Sequence, residues 1–300
     1  MKSVVIQEVG PRDGLQNEAA MVTVATKVKM IAGLVDAGLK RIEVGAFVSP
    51  QWVPQMKGSE EVIKKVLKNH SKKSLRFSAL TPNLHGFDRA RTTGIKEIAV
   101  FGASSESFSQ KNINCSIKES LQRFKEVIDQ AKEKKMWVRG YLSVAFGCPY
   151  EGKVSEKKVV QLSEKFLNLG IDEISIGDTI GVANPKQVKS LIKLLKKSVP
   201  TDRLAMHFHD TRGTALANVL QSLELDISIF DSSVGGLGGC PYAKGASGNL
   251  ATEDLVYMLD GMGIKTGVDL SKLLKVSKLM EKSLNHKLPS KVYQAGGKAK

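Results

Sequence analysis

Short apolar runs alternate with segments of helical period along the whole chain. The runs near 3–9, 40–47, 75–80, 95–101, 137–144, 171–176, 203–209 and 227–232 are rich in branched apolar residues and predict eight strands. Between them, TVATKVKMIAGLVDAG (23–38), SLQRFKEVIDQAKEKK (120–135), SEKKVVQLSEKFLNLG (155–170) and NPKQVKSLIKLLKKSV (184–199) repeat apolar positions every three or four residues. These predict amphipathic helices, the first and third with a glycine stop. Further helices are expected at about 250–262 and 270–285. Eight strand–helix units in about 260 residues make an α/β fold of the (β/α)8 TIM-barrel type, with an extra C-terminal helical segment. A doubly wound open sheet is the alternative, but no glycine-rich dinucleotide turn follows the first strand. With no linker, repeat or low-complexity stretch, residues 1–300 are expected to form a single catalytic domain, the barrel at about 3–262 and the C-terminal helix and tail at about 263–300.

Composition narrows the setting. Three hundred residues with 42% hydrophobic content suffice for a barrel-sized core. Three cysteines are too few, and odd in number, for a disulfide framework, so a reducing, intracellular environment is expected. The opening MKSVVIQEVGPRDG has no basic segment leading into an apolar run, and no stretch reaches the roughly 18 apolar residues of a membrane span. A cytoplasmic protein with no membrane partner is the expectation. The net charge of +15 invites a nucleic-acid reading, yet the basic residues are interleaved with acids and lack aromatic platforms, so no nucleic-acid partner is expected. Residues 261–300 hold nine lysines against Asp269 and Glu281, which suits an anionic ligand or simple solubility.

Candidate chemistry starts with His207 and His209 in LAMHFHDTRG. On a strand, positions i and i+2 share a face, which is a metal-ligand arrangement and equally that of a hydrogen-bonded strand end. The barrel supplies a test, because its catalytic groups gather at the C-terminal ends of strands. Arg12 and Asp13 follow strand 1, Glu43 lies within strand 2, Asp178 follows strand 6, the histidines end strand 7, and Asn249 closes the loop after strand 8. Asp13, His207, His209 and Asn249 then offer two oxygens and two nitrogens to a hard divalent ion, Mg²⁺ or Mn²⁺, with positions left for substrate. Arg12 beside Asp13 is costly to bury unless an anion is stabilised there. Glu43, an acid in an apolar strand, suits the task of positioning Arg12. The loop SVGGLGGCPYAKGASGN (233–249) holds six glycines and presents Cys240 on a flap. Trp52, in the two-proline loop FVSPQWVPQM, fits substrate contact and plain packing equally.

GPRDGLQNE, FVSPQWVPQM, GDTIGVANP, HFHDTRGTALAN and SVGGLGGCPYAKGASGNLATEDLVYML together resemble the 3-hydroxy-3-methylglutaryl-CoA lyase family of metal-dependent TIM barrels, over almost the whole chain. GLGGCPYA is the specific part, since the Asp and His-x-His elements recur in related aldolases and acyl-CoA condensing enzymes. The resemblance implies retro-Claisen cleavage of an acyl-CoA substrate to acetyl-CoA and acetoacetate in a homodimer. It implies metal binding by Asp13, His207, His209 and Asn249, and catalytic roles for Arg12, Glu43, Asp178 and Cys240. Arg12 and Gln16 would contact the substrate. Asp178 is the first choice for the base that takes the C3 hydroxyl proton, with Asp13 the second. A lyase for a longer-branched 3-hydroxyglutaryl-CoA and a related aldolase stay open. A non-enzymatic basic binding protein fits worst, since it needs no converging Asp, His, His and Asn.

Overall fold

The computed structural model describes residues 2–72, 74–239 and 248–296. Eight strands close into one parallel barrel: β1 (Val5–Glu8), β2 (Arg41–Ala46), β3 (Arg76–Leu80), β4 (Glu97–Ala103), β5 (Trp137–Ser143), β6 (Glu173–Asp178), β7 (Leu204–Phe208) and β8 (Ile229–Ser232). Each pairs with the next in sequence, and β8 closes on β1 with Val5 opposite Ile229. The predicted eight-stranded barrel is therefore present, every strand within three residues of its expected ends.

The helices lie outside this ring: α1 (Val24–Asp36), α2 (Ser59–Asn69), α3 (Leu84–Arg91), α4 (Glu106–Ile113), α5 (Ile117–Glu133), α6 (Glu156–Asn168), α7 (Pro185–Leu195), α8 (Ala215–Leu223), α9 (Thr252–Gly261), α10 (Leu270–Leu284) and α11 (Lys291–Gln294). Local chemistry sets their ends. Asn184 accepts from the Gln187 N–H while Gln187 reaches back to the Asn184 N–H, and Pro185 occupies the first helical position of α7. Ser116 and Glu119 form the same reciprocal cap on α5. The strand β4 is followed by two helices, and the short α4 is an addition to the simple strand–helix alternation. The extra helix α10 packs on α1, where Gly33 leaves room for Val276.

Alternation along each strand separates two environments. Outward residues such as Ile42, Val44, Ile98, Val138, Ile174, Ile176, Met206 and Phe230 are buried beneath the helices and form the apolar core. Inward residues are strongly polar. Arg41 donates to both oxygens of Glu173, at 2.9 and 2.7 Å, and Arg139 donates to Glu173 at 2.7 Å and to Asp231 at 2.7 Å. Each buried charge in this lumen thus meets an opposite one, the condition under which such groups are tolerated away from water.

Candidate active site

The sequence GPRDG after β1 folds into a single π-helical turn, Gly10–Gly14, which the periodicity of the chain does not signal. The N–H groups of Arg12, Asp13 and Gly14 all converge on the carbonyl of Val9, at 3.1, 2.7 and 3.1 Å. This turn carries Arg12 and Asp13 over the barrel mouth. Gly10 has no room for a side chain, since a Cβ would lie 2.5 Å from the buried Glu8 carboxylate that its own N–H contacts at 2.7 Å.

At the mouth, Arg12 Nε donates to Glu43 Oε2 at 2.6 Å and Nη1 donates to Asp13 Oδ1 at 2.5 Å. Burial disfavours the guanidinium, but Glu43 and Asp13 outweigh it and hold Arg12 firmly cationic. Glu43 keeps a pKa above the usual carboxylate range because burial outweighs the attraction of Arg12. Tyr141, from β5, donates its hydroxyl to Glu43 Oε2 at 3.2 Å and lies beneath Arg12, whose guanidinium carbon is 5.2 Å from the ring centre. Burial and the nearby Glu43 charge raise the Tyr141 pKa, so the phenol stays protonated.

Opposite Arg12 stand the two imidazoles, with ring centres 5.2 Å apart. One donor atom each from Asp13, His207 and His209 lies within 4.8 Å of the others. Asn249, paired with His209 through an isolated antiparallel bridge, donates its side-chain N–H to Asp13 Oδ2 at 2.9 Å. Two buried polar atoms here, His209 Nδ1 and Asn249 Oδ1, have no hydrogen-bond partner among the described residues. An orphaned amide oxygen beside a carboxylate and two imidazoles is what a cation site leaves open, and the N₂O₂ donor set suits a divalent ion. Ionisation agrees. Burial and the neighbouring His207 push His209 down to about 3, which keeps it neutral with a lone pair to give. Against the upward push of burial, Arg12 and both histidines hold the Asp13 carboxyl below its usual range.

Beside this cluster opens a cavity of about 630 Å³, lined by Arg12, Asp13, Gln16, Trp52, Tyr141 and His207 among others. Gln16 is thus in place for a ligand contact. Trp52, 85% exposed, lines the cavity and does not pack in the core. Lys111 also lines it.

Of the other expected residues, one stands on a different face of the barrel and one lies outside the described residues. Asp178 is corrected: in the register of the sheet it pairs with Phe208, while Gly177 pairs with the inward His207, so its side chain points away from the lumen. Its oxygens accept the N–H groups of Val182 and Ala183 at 2.9 and 3.0 Å, tying down the loop after β6. Asp178 is not among the residues that line the cavity, whereas its neighbours Gly177 and Thr179 are. Cys240 lies outside the described residues. The stem of its loop is held by two buried acids: Glu8 accepts from the N–H of Val234 at 2.9 Å, and Glu253 accepts from that of Gly235 at 2.8 Å.

Sequence reasoning passed over Tyr141, Arg139 and Asp231. Their signal was present as charged or hydroxylated residues at every second position of apolar strands, in VRGY and FDS.

A closed parallel barrel whose mouth gathers an arginine, a carboxylate and two imidazoles beside a ligand-sized cavity defines a (β/α)8-barrel enzyme with a candidate metal cluster. The chain belongs to the HMGL-like family, whose family model matches residues 3–280, in line with the resemblance read from its motifs. It is 54% identical over 294 residues to the human mitochondrial hydroxymethylglutaryl-CoA lyase, covering 98% of this chain and 90% of that protein. The crystal structure of hydroxymethylglutaryl-CoA lyase from Pseudomonas aeruginosa matches with a TM-score of 0.95 at 49% identity, covering 98% of this chain and 97% of the other. The Acinetobacter baumannii HMG-CoA lyase in complex with coenzyme A and 3-methylmalate matches with a TM-score of 0.93 at 40% identity, covering 98% and 95%. Among the described residues no helix is long and apolar enough to cross a membrane.

Proposed function

We propose that this chain is a carbon–carbon lyase that cleaves 3-hydroxy-3-methylglutaryl-CoA to acetyl-CoA and acetoacetate, acting as one catalytic domain in a cytoplasmic homodimer. The observation that carries the reading is the placement of the Arg12 guanidinium between Glu43 and Asp13, beside the paired imidazoles and open to the cavity. Near-complete coverage of relatives bearing this activity, one of them solved with coenzyme A, supports the acyl-CoA substrate.

Asp13, His207, His209 and Asn249 would hold Mg²⁺ or Mn²⁺, which when bound supplies a Lewis acid that eases deprotonation of a hydroxyl. Asp13, which unlike Asp178 lines the cavity, takes the C3 hydroxyl proton on its carboxylate. As the C2–C3 bond breaks, its electron pair passes into the thioester and forms the enolate of acetyl-CoA, while C3 becomes the ketone of acetoacetate. Arg12 Nη2, unlike Nε and Nη1, carries no bond to Glu43 or Asp13 and is left for the enolate oxygen. Glu43 and Tyr141 hold the guanidinium plane so that this donor stays aimed at the cavity. Gln16 contributes a polar wall. Cys240 delivers the proton that converts the enolate carbon to the methyl group of acetyl-CoA.

The test follows acetyl-CoA release from 3-hydroxy-3-methylglutaryl-CoA and from analogues with longer C3 branches, with Mg²⁺, Mn²⁺ or a chelator present. Cleavage of the methyl substrate, lost on chelation, is expected. Failure to cleave any glutaryl-CoA thioester overturns the reading, and cleavage confined to a longer-branched analogue replaces the substrate but keeps the reaction. Light scattering on a size-exclusion column tests the dimer.

A further inference from the structure

Beneath the mouth, the lumen carries one unbroken chain of hydrogen bonds from the Arg12 side to the histidine side. Tyr141 donates to Glu43, Arg139 Nη1 donates to the Tyr141 hydroxyl at 3.1 Å, and Arg139 Nη2 donates to Asp231 Oδ1 at 2.7 Å. The other oxygen of Asp231 receives the Ser175 hydroxyl at 2.7 Å and lies 3.2 Å from His207 Nδ1. Asp231 and His207 are register partners on adjacent strands, and Asp231 is fully enclosed.

We infer that Asp231 is a positioning residue that fixes His207 as the Nδ1–H tautomer, so that Nε2 is the nitrogen offered to the cluster with Asp13 and His209. The reasoning is one of donors and acceptors. Asp231 forms an ion pair with Arg139 and takes the Ser175 hydroxyl, so toward His207 it can only accept. The proton of the hydrogen bond between them therefore sits on Nδ1, and a neutral imidazole protonated there keeps its lone pair on Nε2. Tyr141 meets the His207 ring edge to face, with centres 6.5 Å apart at 81°, which limits its rotation about the side-chain bond. A carboxylate behind a ligating histidine fixes both its tautomer and its aim, and losing such a partner costs roughly 10–100-fold in metal affinity. His209 has no such support, its Nδ1 finding no partner among the described residues, so the two histidines are set up differently. The inference rests on the proposed cation site for its consequence, though not for the tautomer itself.

The experiment uses the full-length chain uniformly labelled with ¹⁵N and treated with chelator. Long-range ¹H–¹⁵N correlation spectra distinguish Nδ1–H from Nε2–H imidazoles. With five histidines in the chain, the His207 signals are assigned by their loss in His207→Asn. The unmodified protein should show His207 protonated on Nδ1. In Asp231→Asn the carboxamide N–H faces His207 and reverses the preference, so His207 should move to Nε2–H, and Mn²⁺ affinity read by electron paramagnetic resonance should fall about 10–100-fold. An Nε2–H signal for His207 in the unmodified protein overturns the inference without any change at Asp231. An unchanged tautomer in Asp231→Asn overturns it as well. If the tautomer switches as stated but the unmodified chain binds no Mn²⁺, the cation site is wrong and the hold of Asp231 on His207 stands.

Discussion

Asn249 donates its side-chain N–H to Asp13 Oδ2 across 236 positions of sequence, and the same amide also donates to the carbonyl of Leu237 at 3.1 Å. Two donations fix the amide plane, so its oxygen is held beside the carboxylate and histidines with no donor to it among the described residues. Asn249→Ala removes that oxygen and the support of Asp13 together. Mn²⁺ affinity should fall by roughly 10–100-fold, a loss of the size seen when a ligand's support is removed. Titration followed by electron paramagnetic resonance checks this, and undiminished affinity would remove Asn249 from the ligand set.

Gly238 is the backbone counterpart of that contact. Its φ is +101°, and a Cβ there would stand 2.5 Å from Asn249 Nδ2 and 3.2 Å from the Asp13 carbonyl. Gly238→Ala should therefore do two things: lose stability of about 1–2 kcal/mol through the left-handed backbone, and loosen Mn²⁺ binding by displacing Asn249. Gly263, at φ +71° with open space around it, separates the effects. Gly263→Ala should lower the melting temperature and leave Mn²⁺ affinity alone. Equal affinities for the two variants would show that Gly238 supplies only backbone freedom.

The guanidinium of Arg12 serves three directions at once: Glu43, Asp13 and the cavity. A lysine reaches the same region with one nitrogen and cannot hold both carboxylates while presenting a fixed donor to substrate. Arg12→Lys should lower kcat by roughly 10²–10³ with a much smaller change in KM, because the contact forms with the developing enolate. A variant with near-normal kcat would show that the fork geometry is unimportant.

How much of this was legible in the chain follows from what each feature depends on. The strands are short apolar runs between helices of clear period, and both signals are local, so all eight were readable. The convergence of Asp13, His207, His209 and Asn249 was readable for a related reason: in a barrel, the sequence position of a strand end is also its spatial position, whatever the separation along the chain. Asp178 shows where that logic stops. It does sit at the end of β6, but the face it occupies depends on the phase of the alternation. That phase is set by the pairing of Gly177 with His207, a relation between strands that no single segment carries. Arg139 and Asp231 were visible as charges in apolar strands, but their task depends in the same way on partners across the lumen, each from a different strand. The π-turn at Gly10–Gly14 had no periodic signature, being one turn long.

Two acids in the stem of the glycine-rich loop make stability depend on pH in an unusual direction. Burial pushes Glu253 up to about 8 and Glu8 up to about 7, against an ordinary value of 4.5. Ser277 supports a protonated Glu253: its single hydroxyl contacts both the Glu253 carboxyl and the carbonyl of Leu273, and it can donate to only one of them. If the Glu253 carboxyl carries a proton, it donates to the serine and both contacts are satisfied. Above pH 4.5 the unfolded chain releases these protons while the folded one retains them. The folded state then binds more protons, and stability falls as pH rises from 4.5 to about 8, where Glu253 at last ionises. Glu253→Gln keeps the neutral form, its N–H donating to Ser277 and its oxygen accepting from Gly235. The melting temperature of this variant should decline less between pH 5 and 8, and at pH 8 should exceed that of the unmodified protein by about 2–4 °C for each kcal/mol relieved. Parallel melting curves for the two proteins over that range would show that Glu253 is ionised in the fold and its burial fully compensated.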